Sequence, residues 1–115
     1  MIGLSNAAKD EMLNVFTGQP LYVGLFTGEA EIADAGYERQ AIEFGQPQDD
    51  GDVRVIENEN EIRFDVLGRD HTIDHWGVFD ASGELLALYR LITPRDMPAD
   101  DNPVFRAGKL GIGLP

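Results

Sequence analysis

Two histidines and an aspartate, His71, Asp74 and His75, lie within five residues of one another. Imidazole and carboxylate groups are common ligands of zinc and non-haem iron. On an extended strand, His71 and His75 point to one face but lie roughly 13 Å apart, and Asp74 points to the other face. The spacing therefore favours a turn histidine at position 71 and a sheet-packed histidine at position 75 over a shared metal ion.

Two loops are rich in the carboxylates that calcium prefers as ligands. Asp49, Asp50 and Asp52 surround a glycine, but the position of the closing glutamate in an EF-hand loop is occupied by Asn60. Residues 80–84 combine Asp, Ser and Gly, which are the residues of tight hairpin turns. We expect solvated turns at both places, and calcium binding by Asp49, Asp50 and Asp52 stays open as the alternative.

The sequence offers few nucleophiles. Cysteine is absent, and the two serines, Ser5 and Ser82, are expected to cap a helix and to form a turn. Neither serine lies in a Gly-x-Ser-x-Gly motif, and no phosphate-binding glycine loop is present. We therefore predict a protein that is not an enzyme, with no catalytic, cofactor-binding or metal-binding residues and no cofactor. A small hydrolase using the two histidines and Asp74 is the least favoured hypothesis.

The charge balance restricts the partners. Nine Lys and Arg residues against 21 Asp and Glu residues give a net charge of −12. Such a surface repels nucleic acid and anionic membranes, so neither is an expected partner. The absence of cysteine excludes disulfides and thiolate metal sites. No apolar run approaches the roughly 18 residues of a membrane span, and no signal peptide is evident, so we expect a soluble product made in the cytoplasm.

One helix is expected, over residues 5–17. Ser5 or Asn6 can cap its first turn, and Gly18 with Pro20 ends it. Four apolar side chains recur at helical spacing and form one stripe. They are Ala8, Met12, Val15 and Phe16.

From residue 21 onward the apolar pattern changes to a period of two, which indicates strands. Strands are predicted at residues 21–27, 37–44, 53–56, 62–66, 73–80, 84–93, 104–105 and 110–114. Residues 28–36 and 46–52 are predicted loops, and three prolines in residues 94–103 argue against any regular element there. Gly24 weakens the first strand unless another group packs close to its backbone. The pattern predicts a mainly β protein, an antiparallel β-sandwich (jelly-roll-like) of about seven or eight short strands with one N-terminal α-helix.

A chain of 115 residues is expected to form a single domain over residues 1–115. Its aromatic residues, Trp76, Tyr22, Tyr37 and Tyr89, are expected mainly in the core, because aromatic side chains are favoured in strands.

Several blocks of the sequence carry a family resemblance. They are Leu4-Ser5-Asn6 with the helix that follows, residues 21–27 (Leu-Tyr-Val-Gly-Leu-Phe-Thr), residues 36–45, residues 75–86 (which include Trp-Gly-Val-Phe-Asp), Thr93-Pro94 and residues 104–114. In this order and spacing they resemble a family of small tailed-bacteriophage virion proteins, usually labelled phage tail fibre proteins. The blocks consist of strand cores, turns and glycines, and no catalytic set accompanies them.

The resemblance implies a non-enzymatic bacteriophage virion structural protein, made in the host bacterial cytoplasm. It would assemble in multiple copies on the particle, as a capsid decoration (cement) protein or as a tail fibre or tip component. The expected partners are sister copies, as a homotrimer, and a major capsid or tail protein. Residues 94–103 and the helical stripe are the expected contact segments. The alternative is a calcium- or glycan-binding β-sandwich module for receptor attachment.

Overall fold

The structure is a computed structural model that describes residues 3–115, so the first two residues of the predicted domain lie outside it. One helix precedes ten strands, and the chain is mainly β, as predicted. No helix in residues 3–115 is long and apolar enough to span a bilayer. The elements are α1 (Asn6–Thr17), β1 (Leu21–Thr27), β2 (Ala30–Glu31), β3 (Gln40–Ile42), β4 (Gln48–Asp50), β5 (Val53–Glu57), β6 (Ile62–Arg63), β7 (His71–Asp80), β8 (Leu85–Met97), β9 (Val104–Phe105) and β10 (Gly111–Leu114).

Helix α1 has the predicted ends. The Ser5 hydroxyl accepts a hydrogen bond from the Ala8 amide at 3.2 Å, and the amide of Gly18 donates to Asn14. The predicted stripe is only partly buried, because the helix turns Leu13 into the core instead and leaves Met12 and Val15 about half exposed. Helix α1 therefore packs on the rest of the domain through one buried side chain, that of Leu13, and through partly exposed side chains on either side of it.

The largest sheet is antiparallel and positions most of the polar side chains discussed below. Its order is β2-β1-β7-β8, and β3 also pairs with β1. Alternate residues of β1, Leu21, Val23 and Leu25, point into the core, as the period of two requires. The opposite face of the same strand carries Gly24 and Phe26.

Two smaller antiparallel sheets, β10-β5-β4 and β6-β9, complete the body. One hydrophobic core joins them to the main sheet and the helix, which is consistent with the predicted β-sandwich. The side chains most completely buried in it include Leu13, Leu25, Ile56, Phe64, Ile73, Phe105 and Ile112.

Several predicted strand boundaries were wrong, and residues 3–115 contain ten strands rather than the predicted seven or eight. The strand predicted at 37–44 is reduced to β3 and an isolated bridge at Phe44, because Tyr37 closes a turn with its amide on Asp34. The loops predicted at 28–36 and 46–52 contain β2 and β4. Gly51, at a φ of 61°, forms the tight turn that pairs β4 with β5.

The strand predicted at 62–66 ends early. After Arg63 the backbone of Phe64 and Leu67 bonds to the 101–103 segment instead of to a strand. Alternation along a strand over residues 62–66 would bury Val66. In the structure Val66 is exposed, and Leu67 is buried in its place.

The prediction that no regular element survives beyond Pro94 was wrong. Strand β8 continues to Met97, because Pro94 lies in a bulge where no ladder hydrogen bond is required of it. Ile73 pairs with Arg95 and His75 with Arg90, so one residue of β7 opposes four residues of β8. We call residues 91–94 the β8 bulge.

Candidate functional site

His71 and His75 do not approach a common metal site. His71 Nε2 lies 2.8 Å from Asp34 Oδ2, and His75 Nδ1 lies 2.7 Å from Asp74 Oδ1. Within residues 3–115, no three histidine, aspartate or glutamate side chains gather as a metal site would require. Asp74 was expected to point away from His75, but the irregular register between Ile73 and His75 brings the two side chains together.

Asp34 joins two loops to the start of β7. Its side chain is 1% exposed and accepts hydrogen bonds from the amides of Gly36, Gly68 and Arg69 as well as facing His71. The Gly68 amide and the His71 imidazole hold the pKa of the Asp34 carboxyl well below its ordinary value. The arrangement is that of a structural anchor, in which every carboxylate oxygen is used by the protein itself.

Asp74 is also a structural anchor, with fewer hydrogen bonds than Asp34. It accepts from the Gly28 amide at 2.7 Å in addition to contacting His75. The His75 imidazole and this amide lower the pKa of the Asp74 carboxyl. The side chain therefore ties the turn after β1 to the middle of β7.

Beside His71, a surface groove of about 490 Å³ is lined by Asp70, His71, Thr72, Asp96, Met97 and Pro98. Neither serine lies on this groove. The Ser5 hydroxyl caps α1, and the Ser82 hydroxyl donates to Asp80 in the turn between β7 and β8, so both serines have their predicted structural places.

The two carboxylate loops are both hairpin turns. Asp80 accepts from the Ser82 hydroxyl and from the amides of Ser82 and Glu84, and these bonds lower the pKa of its carboxyl. In the other loop, Asp49 pairs with Arg54 at 3.0 Å. Asp50 and Asp52 are exposed at the tip. Calcium binding by Asp49, Asp50 and Asp52 stays a prediction.

Sequence reasoning missed a polar network on the outer side of the main sheet. Tyr37 donates its hydroxyl proton to Glu31, and Arg39 donates two hydrogen bonds to the same carboxylate at 2.8 and 2.9 Å. The Tyr37 oxygen also accepts from the Leu25 amide at 3.0 Å. Burial and the Glu31 carboxylate raise the pKa of Tyr37. Burial opposes the ionisation of Glu31, but its bonds to Arg39 and Tyr37 outweigh that effect and lower its pKa.

The residue of the sequence that indicated this network was Gly24, because it is a glycine inside a strand. A Cβ atom at this position would lie 2.7 Å from Glu31 Oε2 and 2.8 Å from both the Tyr37 hydroxyl and the Phe79 ring. The condition under which a glycine does not weaken this strand, a group packed close to its backbone, is therefore met. The Arg39 guanidinium then covers Phe79, 3.5 Å from the ring centre.

The aromatic residues divide between core and surface. Trp76 is buried, with its ring centre 5.3 Å from that of Tyr89, and Tyr37 is half buried against Phe64. These three fit the prediction of core positions, whereas Tyr22 is exposed.

Several features without a partner lie along strand β8. Among the described residues, β8 pairs with β7 on one side only and forms one edge of the main sheet. Ile92, in the β8 bulge, is fully exposed. Residues 85–95 contain two arginines and no carboxylate, which is unusual in a chain of net charge −12. This strand is the candidate contact surface, and it overlaps the proline-rich segment at residues 94–97.

The fold is a mainly β body with internally bonded polar clusters and an open sheet edge. Residues 3–113 match the family model described as podophage GP4 fiber I protein gp80, so this chain belongs to that family of phage fibre proteins. The resemblance read from the sequence blocks is confirmed. No curated protein matches the chain significantly. The family indicates a structural protein of the phage fibre and a component of the virion.

Proposed function

We propose that this protein is a non-enzymatic fibre subunit that acts in multiple copies, each contacting sister copies and a neighbouring tail protein. One observation carries the proposal: the open edge of the main sheet presents the β8 bulge with Ile92 in water. The proposal takes residues 1–115 as one β-sandwich domain, with a homotrimer as the assembled form.

Part of the β8 edge lacks the features that protect sheet edges in monomeric proteins. Such edges are protected by charges, prolines, bulges or short length, because free backbone groups pair readily with another chain. From Leu85 to Tyr89 this edge carries no charge and no proline, whereas Arg90 and the β8 bulge with Pro94 follow. Burying the Ile92 side chain in a contact would contribute about 2 kcal/mol. When several copies form one fibre the same contact is repeated, and multivalency makes the overall attachment stronger than a single contact.

The size of the body also favours assembly. It measures 50 × 28 × 23 Å, so a single copy is too short to make a fibre by itself. The family name favours the tail fibre over the capsid shell among the two expected locations. The polar clusters of the chain support a structural role, because Asp34, Glu31 and Asp80 each accept hydrogen bonds from other groups of the same chain.

The test is to locate the protein on intact particles. A phage carrying a peptide tag on this chain is labelled with a gold-conjugated antibody and imaged, and the copy number is read from quantitative mass spectrometry of the virion. Label on the tail with several copies per particle is expected. Label on the capsid would favour the decoration role, and particles without the chain would contradict a virion role. Calorimetry with calcium tests the alternative, because heat of binding would favour the receptor-attachment module.

A further inference from the structure

A groove beside the β8 bulge has a charge opposite to that of the molecule. Its volume is about 360 Å³, and it is lined by Leu91, Ile92, Thr93, Arg95, Phe105 and Lys109. The lining contains two cations and no carboxylate, in a chain with 21 acidic and nine basic residues. The groove is therefore apolar and basic in a chain whose net charge is −12.

The two cations keep their charge available. Arg95 donates to the Val104 carbonyl at 2.6 Å and lies over the Phe105 ring, 4.1 Å from its centre, but both partners are neutral. Within residues 3–115, neither Arg95 nor Lys109 forms an ion pair. Together with exposed Ile92, they define a complementary ligand: a short segment with an apolar side chain beside unpaired carboxylates.

The tip of the β4–β5 hairpin, residues 50–53, has these properties. Asp50 and Asp52 form no ion pair within the described part of the chain, and Val53 beside them is 36% exposed. The tip is already ordered, because Asp50 pairs with Val53 across a two-residue turn and Arg54 ties Asp49 to Asp10 on α1. A preformed tip loses little conformational entropy on binding.

We propose that the hairpin tip of one copy docks in the groove of a second copy, with Asp50 and Asp52 facing Arg95 and Lys109. This inference rests on the proposed function and names the contact between sister copies. The two surfaces differ, so the contact is head-to-tail, and it forms a ring such as a trimer where the rotation between copies closes and an open filament where it does not.

The experiment uses charge reversal and sedimentation equilibrium on the full-length chain. Lys109→Glu alone and Asp52→Lys alone place like charges in the contact, and each is expected to weaken self-association at least tenfold. The double variant Lys109→Glu with Asp52→Lys reverses both charges of the Asp52–Lys109 pair in every contact and is expected to restore association to within about threefold of wild type. Asp65→Lys, which makes the same charge change at an exposed residue outside both surfaces, is the control.

Thermal unfolding by circular dichroism confirms that each variant is folded. Association that is unchanged in both single variants, or lost additively in the double variant, would overturn the proposed contact. Loss of incorporation into particles by Lys109→Glu without loss of self-association would assign the groove to another acidic protein and also overturn it. In these cases tail labelling and copy number would still support the proposed function. A wild-type chain that stays monomeric and is absent from particles would overturn both.

Discussion

The main sheet has two regions with opposite properties. Around Gly24, the side chains of Glu31, Tyr37 and Arg39 bond to one another and to the backbone in a space that only a glycine leaves open. At the β8 bulge, an isoleucine lies in water beside cations with no acidic partner in residues 3–115. The first region is complete within one chain, whereas the second is the contact surface in the proposed assembly.

The comparison predicts that substitutions around Gly24 affect folding and that substitutions on the β8 bulge affect assembly. Variants in the first region should change the free energy of unfolding without a specific effect on self-association. Variants on the β8 bulge should weaken self-association without changing the free energy of unfolding of the single chain.

The largest effect is expected for Gly24→Val. Its side chain would overlap Glu31, Tyr37 and Phe79, and such overpacking costs about 3 kcal/mol of the free energy of unfolding. Urea unfolding followed by tryptophan fluorescence of Trp76 measures the change. Gly111→Ala, at a strand position where a Cβ atom meets its neighbours at 3.5 Å, is the control and should change stability little. A Gly24→Val variant as stable as this control would contradict the close packing.

A smaller, pH-dependent effect is expected for Asp34→Asn. The pKa of Asp34 is lowered in the folded chain, so the stability it contributes is fully present above its unfolded pKa of about 4 and is lost as the pH falls toward the folded value. Asparagine cannot ionise, so the variant should melt at a lower temperature at neutral pH.

Melting temperatures measured from about pH 7 to about pH 2 test this prediction. The curve of Asp34→Asn should fall less steeply below about pH 4 than that of the wild type. Asp65→Asn, at an exposed position, is the control and should follow the wild-type curve. Parallel curves for Asp34→Asn and the wild type would show that Asp34 is not the anchor described above.

A still smaller effect is expected for Tyr37→Phe. The variant removes one donor to Glu31 and the acceptor of the Leu25 amide, and an unsatisfied buried group costs about 1–2 kcal/mol. Urea unfolding measures this change, and Tyr22→Phe, on an exposed ring, is the matched control. Equal stabilities for the two variants would contradict the role of the network.

The sequence predicted what depends on local pattern. The ends of α1 and the β class follow from capping and periodicity, and both are confirmed. The cost of glycine in a strand marked Gly24 as a position where another group had to pack closely, but it did not show which group. The separation of His71 from His75 also follows from strand geometry.

The parts that were missed depend on contacts between distant residues. Asp34 meets His71 across 37 positions of the sequence, and no motif marks that pair. The rule that proline interrupts a strand applies to a regular ladder, so it failed at Pro94, where β8 bulges at the sheet edge. The sequence also did not predict that the helical stripe is only partly buried. Helical spacing shows which side chains share one face of the helix, but it does not show what packs against that face.

The most direct test of the account compares wild type and Ile92→Ser by sedimentation equilibrium and thermal unfolding. Ile92 is exposed in the single chain, so the melting temperature of a diluted, dissociated sample should be unchanged by the substitution. Self-association of the wild type should be weakened at least tenfold in the variant, because the contact loses its apolar side chain. Equal association of the two proteins, with or without a change in melting temperature, would contradict assembly through the β8 bulge.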